Sequence, residues 1–227
     1  PCDDDSAASD DDDTFDPGYD CDALPEGPLD YGIVFGPRAT EDMAFDDQGH
    51  VIGADNGNLL KSTYDGEFTI FAPNAGGFIA GLRALPSGDV VYADVSSGTM
   101  FRVDETGSKT PIVSGLLYAN GIEVDLEGYV YVAEQEGNRV RRIDPYTGEF
   151  EMVAEGLQAP NGVTFSPDYS TLYIGSFGWG TIHAIPFDEQ GNPGQAELLV
   201  EGLGNGMLDG MGVDACGNIY ICEYLAA

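Results

Sequence analysis

A stretch of about sixteen residues recurs five times along this chain, and recurrence at a fixed period constrains a fold more tightly than composition does. The copies are TEDMAFDDQGHVIGAD (40–55), IAGLRALPSGDVVYAD (79–94), ANGIEVDLEGYVYVAE (119–134), PNGVTFSPDYSTLYIGS (160–176) and LDGMGVDACGNIYICE (208–223). Their second positions are Glu41, Ala80, Asn120, Asn161 and Asp209, spaced by 39, 40, 41 and 48 residues. Eight residues past that position stands a turn glycine, Gly49, Gly88, Gly128 or Gly217; the fourth copy alone departs, through a one-residue insertion at PDYS. Each copy reads as strand, tight turn, strand. A further turn signal, YDG at 64–66, DETG at 104–107, DPYTG at 144–148 and DEQG at 188–191, then joins a third strand to a fourth in every complete repeat.

Four strands in about forty residues is the signature of a propeller blade, and the alternation in YVYVAE suits a strand sandwiched between neighbouring blades. The expected fold is therefore all-β, a six-bladed β-propeller of which this chain covers about four and a half blades, starting near residues 39, 78, 118, 159 and 207. YGIVFG (31–36) is expected to complete the last blade. The 32 Gly, 12 Tyr and 11 Phe fit short strands between turns, with almost no helix.

Ahead of the repeats, residues 1–28 read as an acidic spacer: the first 22 positions hold ten Asp and no basic residue. The chain as a whole carries 40 acidic against 8 basic residues, a formal net charge of −32, which repels phosphate backbones and argues against a nucleic-acid partner. No apolar stretch reaches the roughly 18 residues that span a bilayer. Cys2, at the head of the acidic run, resembles the lipid-modified cysteine of mature bacterial lipoproteins, so a lipid anchor there stands against a disulfide from Cys2 to Cys21. Four cysteines allow three full pairings and the sequence does not choose among them. An extracytoplasmic location is the expectation.

The repeated second position carries the chemistry. In a propeller the first strand of each blade lines the central channel, so residues at its start converge on the axis. Packed inner strands favour small or apolar residues there, as Ala80 illustrates, because buried carboxylates and amides are costly without partners. Glu41, Asn120, Asn161 and Asp209 break that pattern together. Two carboxylates and two amide oxygens form a hard oxygen cage of charge −2, which suits Ca2+, or another divalent cation, and leaves coordination positions for water or substrate.

These residues carry a family resemblance. PNGVTFSPDYSTLYIG, TEDMAF and LDGMGVDACGNIYI resemble the metal-binding blades of the calcium-dependent six-bladed propeller hydrolases, the superfamily of SMP-30, gluconolactonase and paraoxonase. The resemblance runs from about residue 38 to 223. It implies that Glu41, Asn161 and Asp209 are metal ligands and that Asn120 touches the metal directly or through water or substrate. Ala80 stands where paraoxonases carry a channel histidine, so a histidine proton shuttle is not implied.

A channel cation of this kind makes hydrolysis of a small-molecule lactone or related ester the expected reaction, with Asp209 as base or nucleophile and Asn120 beside it. Asp55, Asp94, Glu134, Ser176 and Glu223, at the ends of the second strands, are expected to form an outer polar ring. Tyr118, Phe177, Trp179 and Met207 are candidates for the substrate wall. Neither His50 nor His183 falls where a Ser-His-Asp arrangement would need it. Two alternatives remain open: a non-catalytic propeller serving as a binding scaffold, and an enzyme of the strictosidine-synthase-like branch.

Overall fold

The computed structural model describes residue 21 and residues 41–46 and 48–224. The chain divides into two units, residues 1–30 and 31–227. Of the first, Cys21 is described: it is exposed and disulfide-bonded. Cys2, the acidic run and YGIVFG lie outside the described residues, and with them the expected lipid anchor and ring-completing strand.

The second unit is strand and turn. Blade 1 comprises β1 (Met43–Phe45), β2 (Val51–Asp55), β3 (Asn58–Ser62) and β4 (Phe68–Ala72). Blade 2 comprises β5 (Ile79–Ala84), β6 (Val90–Asp94), β7 (Thr99–Val103) and β8 (Lys109–Ser114). Blade 3 comprises β9 (Ala119–Val124), β10 (Val130–Glu134), β11 (Arg139–Ile143) and β12 (Phe150–Glu155). Blade 4 comprises β13 (Pro160–Phe165), β14 (Thr171–Ser176), β15 (Thr181–Pro186) and β16 (Glu197–Val200), and β17 (Leu208–Val213) with β18 (Ile219–Glu223) begins a fifth. Each sheet pairs consecutive strands antiparallel, and the first strands pack in series, β1 on β5, β5 on β9, β9 on β13 and β13 on β17. These are four and a half blades of a six-bladed β-propeller, with the period-forty repeat as the unit of construction.

Burial follows the two-residue period of a strand covered on both faces. On β6, Val90 and Tyr92 pack with Ile52 and Leu59 of blade 1, while Val91 and Ala93 pack with Ile122 and Val132 of blade 3. On β10, Val130 and Val132 face blade 2 and Tyr131 and Ala133 face blade 4. The core is thus a series of apolar layers between sheets, and every blade needs its neighbours to bury its faces.

Two features at the repeated dipeptide aim the inner strands. The first is a β-bulge in each blade where both strands are paired across the position. Ile79 pairs with Asp94 and Leu82 with Tyr92, so three steps along β5 match two along β6; the same slip spans Ala119 to Ile122, Pro160 to Val163 and Leu208 to Met211. The second is close approach of successive blades at the glycine. A Cβ on Gly81, Gly121 or Gly162 would lie 2.2, 2.1 or 2.3 Å from the backbone oxygen of Asn120, Asn161 or Asp209, the corresponding residue one blade on. The glycine of each pair is therefore a packing requirement, and it sets the next blade's polar residue directly beside its own.

Candidate metal and catalytic site

Glu41, Asn120, Asn161 and Asp209 line one cavity of about 170 Å³. Blades 1, 3, 4 and 5 contribute one residue each, and Ala80 of blade 2 lines the same space. The bulges supply the aim and the glycines supply the spacing.

The cavity lining gathers more acid than base, Glu41, Asp42 and Asp209 against Arg83. The Glu41 carboxyl is pushed above its ordinary range, first by burial and then by the neighbouring carboxylates of Asp209 and Asp42. Asn161 is buried, 3% exposed. Among the described residues, the side chains of Glu41, Asn161 and Asp209 receive no hydrogen bond, leaving their oxygens to a ligand. Asn120 differs: its Nδ2 donates to Gln135 Oε1 at 3.1 Å, which uses the donor end of the amide and leaves the carbonyl oxygen. Gln135 immediately follows β10 and was not among the sequence candidates; nothing in the repeat distinguishes it from a loop residue.

Two carboxylates with two amide oxygens fit a hard divalent cation with more than four ligand positions. Among the described residues, no group of three or more His, Cys, Asp or Glu is placed to hold a metal. The fit of this cavity to a cation therefore depends on the two amide oxygens as much as on the carboxylates.

The expected substrate wall is displaced. Tyr118, Phe177, Trp179 and Met207 sit at the blade ends that carry the cavity, yet none of them is among the residues lining it. Tyr118 is left-handed (φ 54°) and its ring turns edge-on to Phe78, 6.4 Å away. Phe177 and Met207 bridge to each other, Phe177 also packs on Tyr224 at 5.8 Å, and Trp179 is 57% exposed. Beside its acids, amides and glycines the cavity is lined by Ala80, Arg83, Val163, Met211 and Cys222.

The outer ring is mostly architectural. Asp94 accepts from the Gly77, Phe78 and Ser96 N–H groups and from Ser97 Oγ at 2.7 Å. Glu134, fully buried, accepts from Leu117 N at 2.7 Å and pairs with Arg139 at 2.8 Å and Arg141 at 2.7 Å. Glu223 accepts from the Asn205 N–H, and Asp55 from Asn56 Nδ2 at 2.8 Å. Ser176 Oγ is buried without a partner among the described residues. His50 is bonded to Asp46 at 2.9 Å and His183 lies on β15; neither lines the cavity. Cys216 is disulfide-bonded, whereas Cys222 is a free, exposed thiol.

Residues 133–227 match the family described as SMP-30/Gluconolactonase/LRE-like region. Lactonohydrolase oryH of Aspergillus oryzae is 54% identical over 43 residues, 19% of this chain and 9% of that protein. Gluconolactonase of Zymomonas mobilis is 26% identical across 62% of this chain and 48% of its own length, so the chain spans about half of that relative. Among solved structures, a gluconolactonase of Xanthomonas campestris superposes with a TM-score of 0.70 at 20% identity, over 81% of this chain and 69% of that one. A streptogramin B lyase superposes with a TM-score of 0.66 at 16% identity, over 80% and 61%. At such identities the structural likenesses speak for the fold.

Proposed function

We propose that the chain is a member of the SMP-30/gluconolactonase-like family, whose model matches residues 133–227, and that it is part of a calcium-dependent hydrolase of lactones or related esters. The observation that carries the reading is the gathering of Glu41, Asn120, Asn161 and Asp209 from four blades around one cavity. Names of similar proteins, a lactonohydrolase and gluconolactonases, support the substrate class. A bound Ca2+ supplies Lewis-acid polarisation of the ester carbonyl and acidifies an attacking water.

The chain's own residues do the rest. Glu41 and Asn161 would hold the cation, with the carbonyl oxygen of Asn120, whose amide donates to Gln135, as a further ligand. Asp209 is the carboxylate that takes the proton as water adds to the lactone carbonyl; the ring C–O bond then breaks and the alkoxide leaving group recovers a proton. The glycines bring no side chain into the cavity, leaving room for a compact polar substrate. That Cys21 and Cys216 are disulfide-bonded supports an oxidising, extracytoplasmic compartment.

The test is hydrolysis of a panel of lactones and aryl esters before and after chelation, with calcium add-back. The reading requires turnover that chelator abolishes and calcium restores, and a loss of at least about a hundredfold in kcat for Asp209→Asn. Turnover indifferent to chelator would refute the calcium dependence, and bound calcium without turnover would favour a binding scaffold.

A further inference from the structure

Arg83 is the fixed cation among the residues lining the cavity, and its surroundings are built. Its Nη1 donates to Asp42 Oδ2 of blade 1 at 2.7 Å and to the Leu82 carbonyl of its own blade at 2.7 Å. Its Nε lies 3.5 Å from Glu123 Oε1 of blade 3. The three side chains are 28%, 23% and 21% exposed for Asp42, Arg83 and Glu123. Asp42 Oδ2 also accepts from Leu82 N at 3.0 Å, its Oδ1 accepts from Met43 N at 2.8 Å, and Glu123 Oε1 accepts from Val124 N at 3.0 Å. One guanidinium thus fills an oxygen hole made by two carboxylates and a carbonyl, and stitches three consecutive blades together.

Asp42 is the neighbour of Glu41 in sequence, and both line the cavity. The Asp42 carboxylate beside Glu41 adds like charge to an already acidic space, a cost that the partly buried guanidinium offsets. The planar fork of arginine suits this better than the point charge of lysine, because it reaches partners in different directions at once.

We propose that Arg83 is a built-in cation of the channel, occupying the hole formed by Asp42, Glu123 and the Leu82 carbonyl, and that it is a positioning residue which, through Asp42, holds Glu41 at the cavity. Its second half rests on the reading of Glu41 as a ligand; the first does not. Without the guanidinium, the hole is a set of hard oxygens of net charge −2, a composition that takes a divalent cation.

Calcium binding by equilibrium dialysis and thermal unfolding, each with and without calcium, test the proposal on the protein and on Arg83→Ala. The Arg83→Ala protein is expected to take up about one calcium more per chain than the unaltered protein, whatever the latter's own count. Its unfolding temperature in chelator should fall by about 5 °C or more and be largely restored by calcium, an effect the unaltered protein shows to a smaller degree. Adding Asp42→Asn and Glu123→Gln to Arg83→Ala should abolish the extra uptake. Should Arg83→Ala fail to fold, Arg83→Gln, which is neutral but retains a donor, is read by the same criteria. Equal calcium counts for the unaltered and Arg83 variants, with a loss of stability that calcium does not repair, would overturn the proposal. Absence of calcium from the unaltered protein would instead count against the proposed function alone.

Discussion

At the scale of single residues, the cavity depends on side chains whose usefulness lies in what they do not bond. Among the described residues, the side-chain oxygens of Glu41, Asn161 and Asp209 accept no hydrogen bond, while Asn120 is tethered at its donor end by Gln135. That tether makes a sharp prediction. Gln135→Ala leaves the Asn120 amide free to rotate, so calcium affinity should fall by about tenfold or more with little change in unfolding temperature, measured by titration and calorimetry. Unchanged affinity would show that Gln135 does not orient Asn120. The asparagines were legible in the sequence because they break the apolar rule of an inner strand at a repeated position. Gln135 was not, since a residue that follows a strand carries no periodic signal. The setting of the aromatic residues was not legible for a related reason: the left-handed turn at Tyr118 and the Phe177–Met207 bridge are not written in residue type.

At the scale of elements, the Asn-Gly pair is a joint between blades. The bulge turns the polar residue toward the channel, and the glycine admits the backbone of the next blade. Gly121→Ala is therefore expected to cost about 1–3 kcal/mol in denaturant unfolding, because the new methyl meets the Asn161 carbonyl carbon and oxygen rather than a movable side chain. Gly212→Ala, on β17 with open space around its Cβ and no left-handed φ, is the control for adding a methyl to an inner-strand glycine. Equal losses would deny the close approach any special role. Strands and turns were readable from period and punctuation, as was the four-stranded unit. The bulge register and the Asp42–Arg83–Glu123 link were not, because both arise only when three blades lie side by side.

At the scale of the molecule, a surplus of acid is the governing property. With a formal net charge of −32, the protein repels itself near neutral pH. Several turn aspartates nevertheless sit below the ordinary carboxylate range. At Asp46, burial works in the opposite direction but is outweighed by hydrogen bonds from the His50 ring and N–H, Lys61 and the Gln48 N–H, which hold its pKa near about 2. A depressed carboxyl pKa stabilises the fold above the unfolded value and is lost as pH falls through the folded one. Asp46 therefore protects fully above about pH 4 and ceases to do so toward pH 2. Raised groups act the other way: Glu41 and Glu123, both lifted first by burial, become easier to accommodate as they protonate. The unfolding temperature without calcium should accordingly rise with added salt near neutrality, rise as pH is lowered toward about 5, and collapse below about 4. A monotonic fall from pH 7 downward would contradict this balance. The central claim, that four side chains from four blades hold one cation, is tested most directly by calcium titration of the protein and of Asn161→Leu, which keeps the shape of the buried side chain and removes its oxygen. The account predicts about one calcium per chain, weakened about a hundredfold or more by the substitution; absence of binding, or binding that the substitution leaves intact, would contradict it.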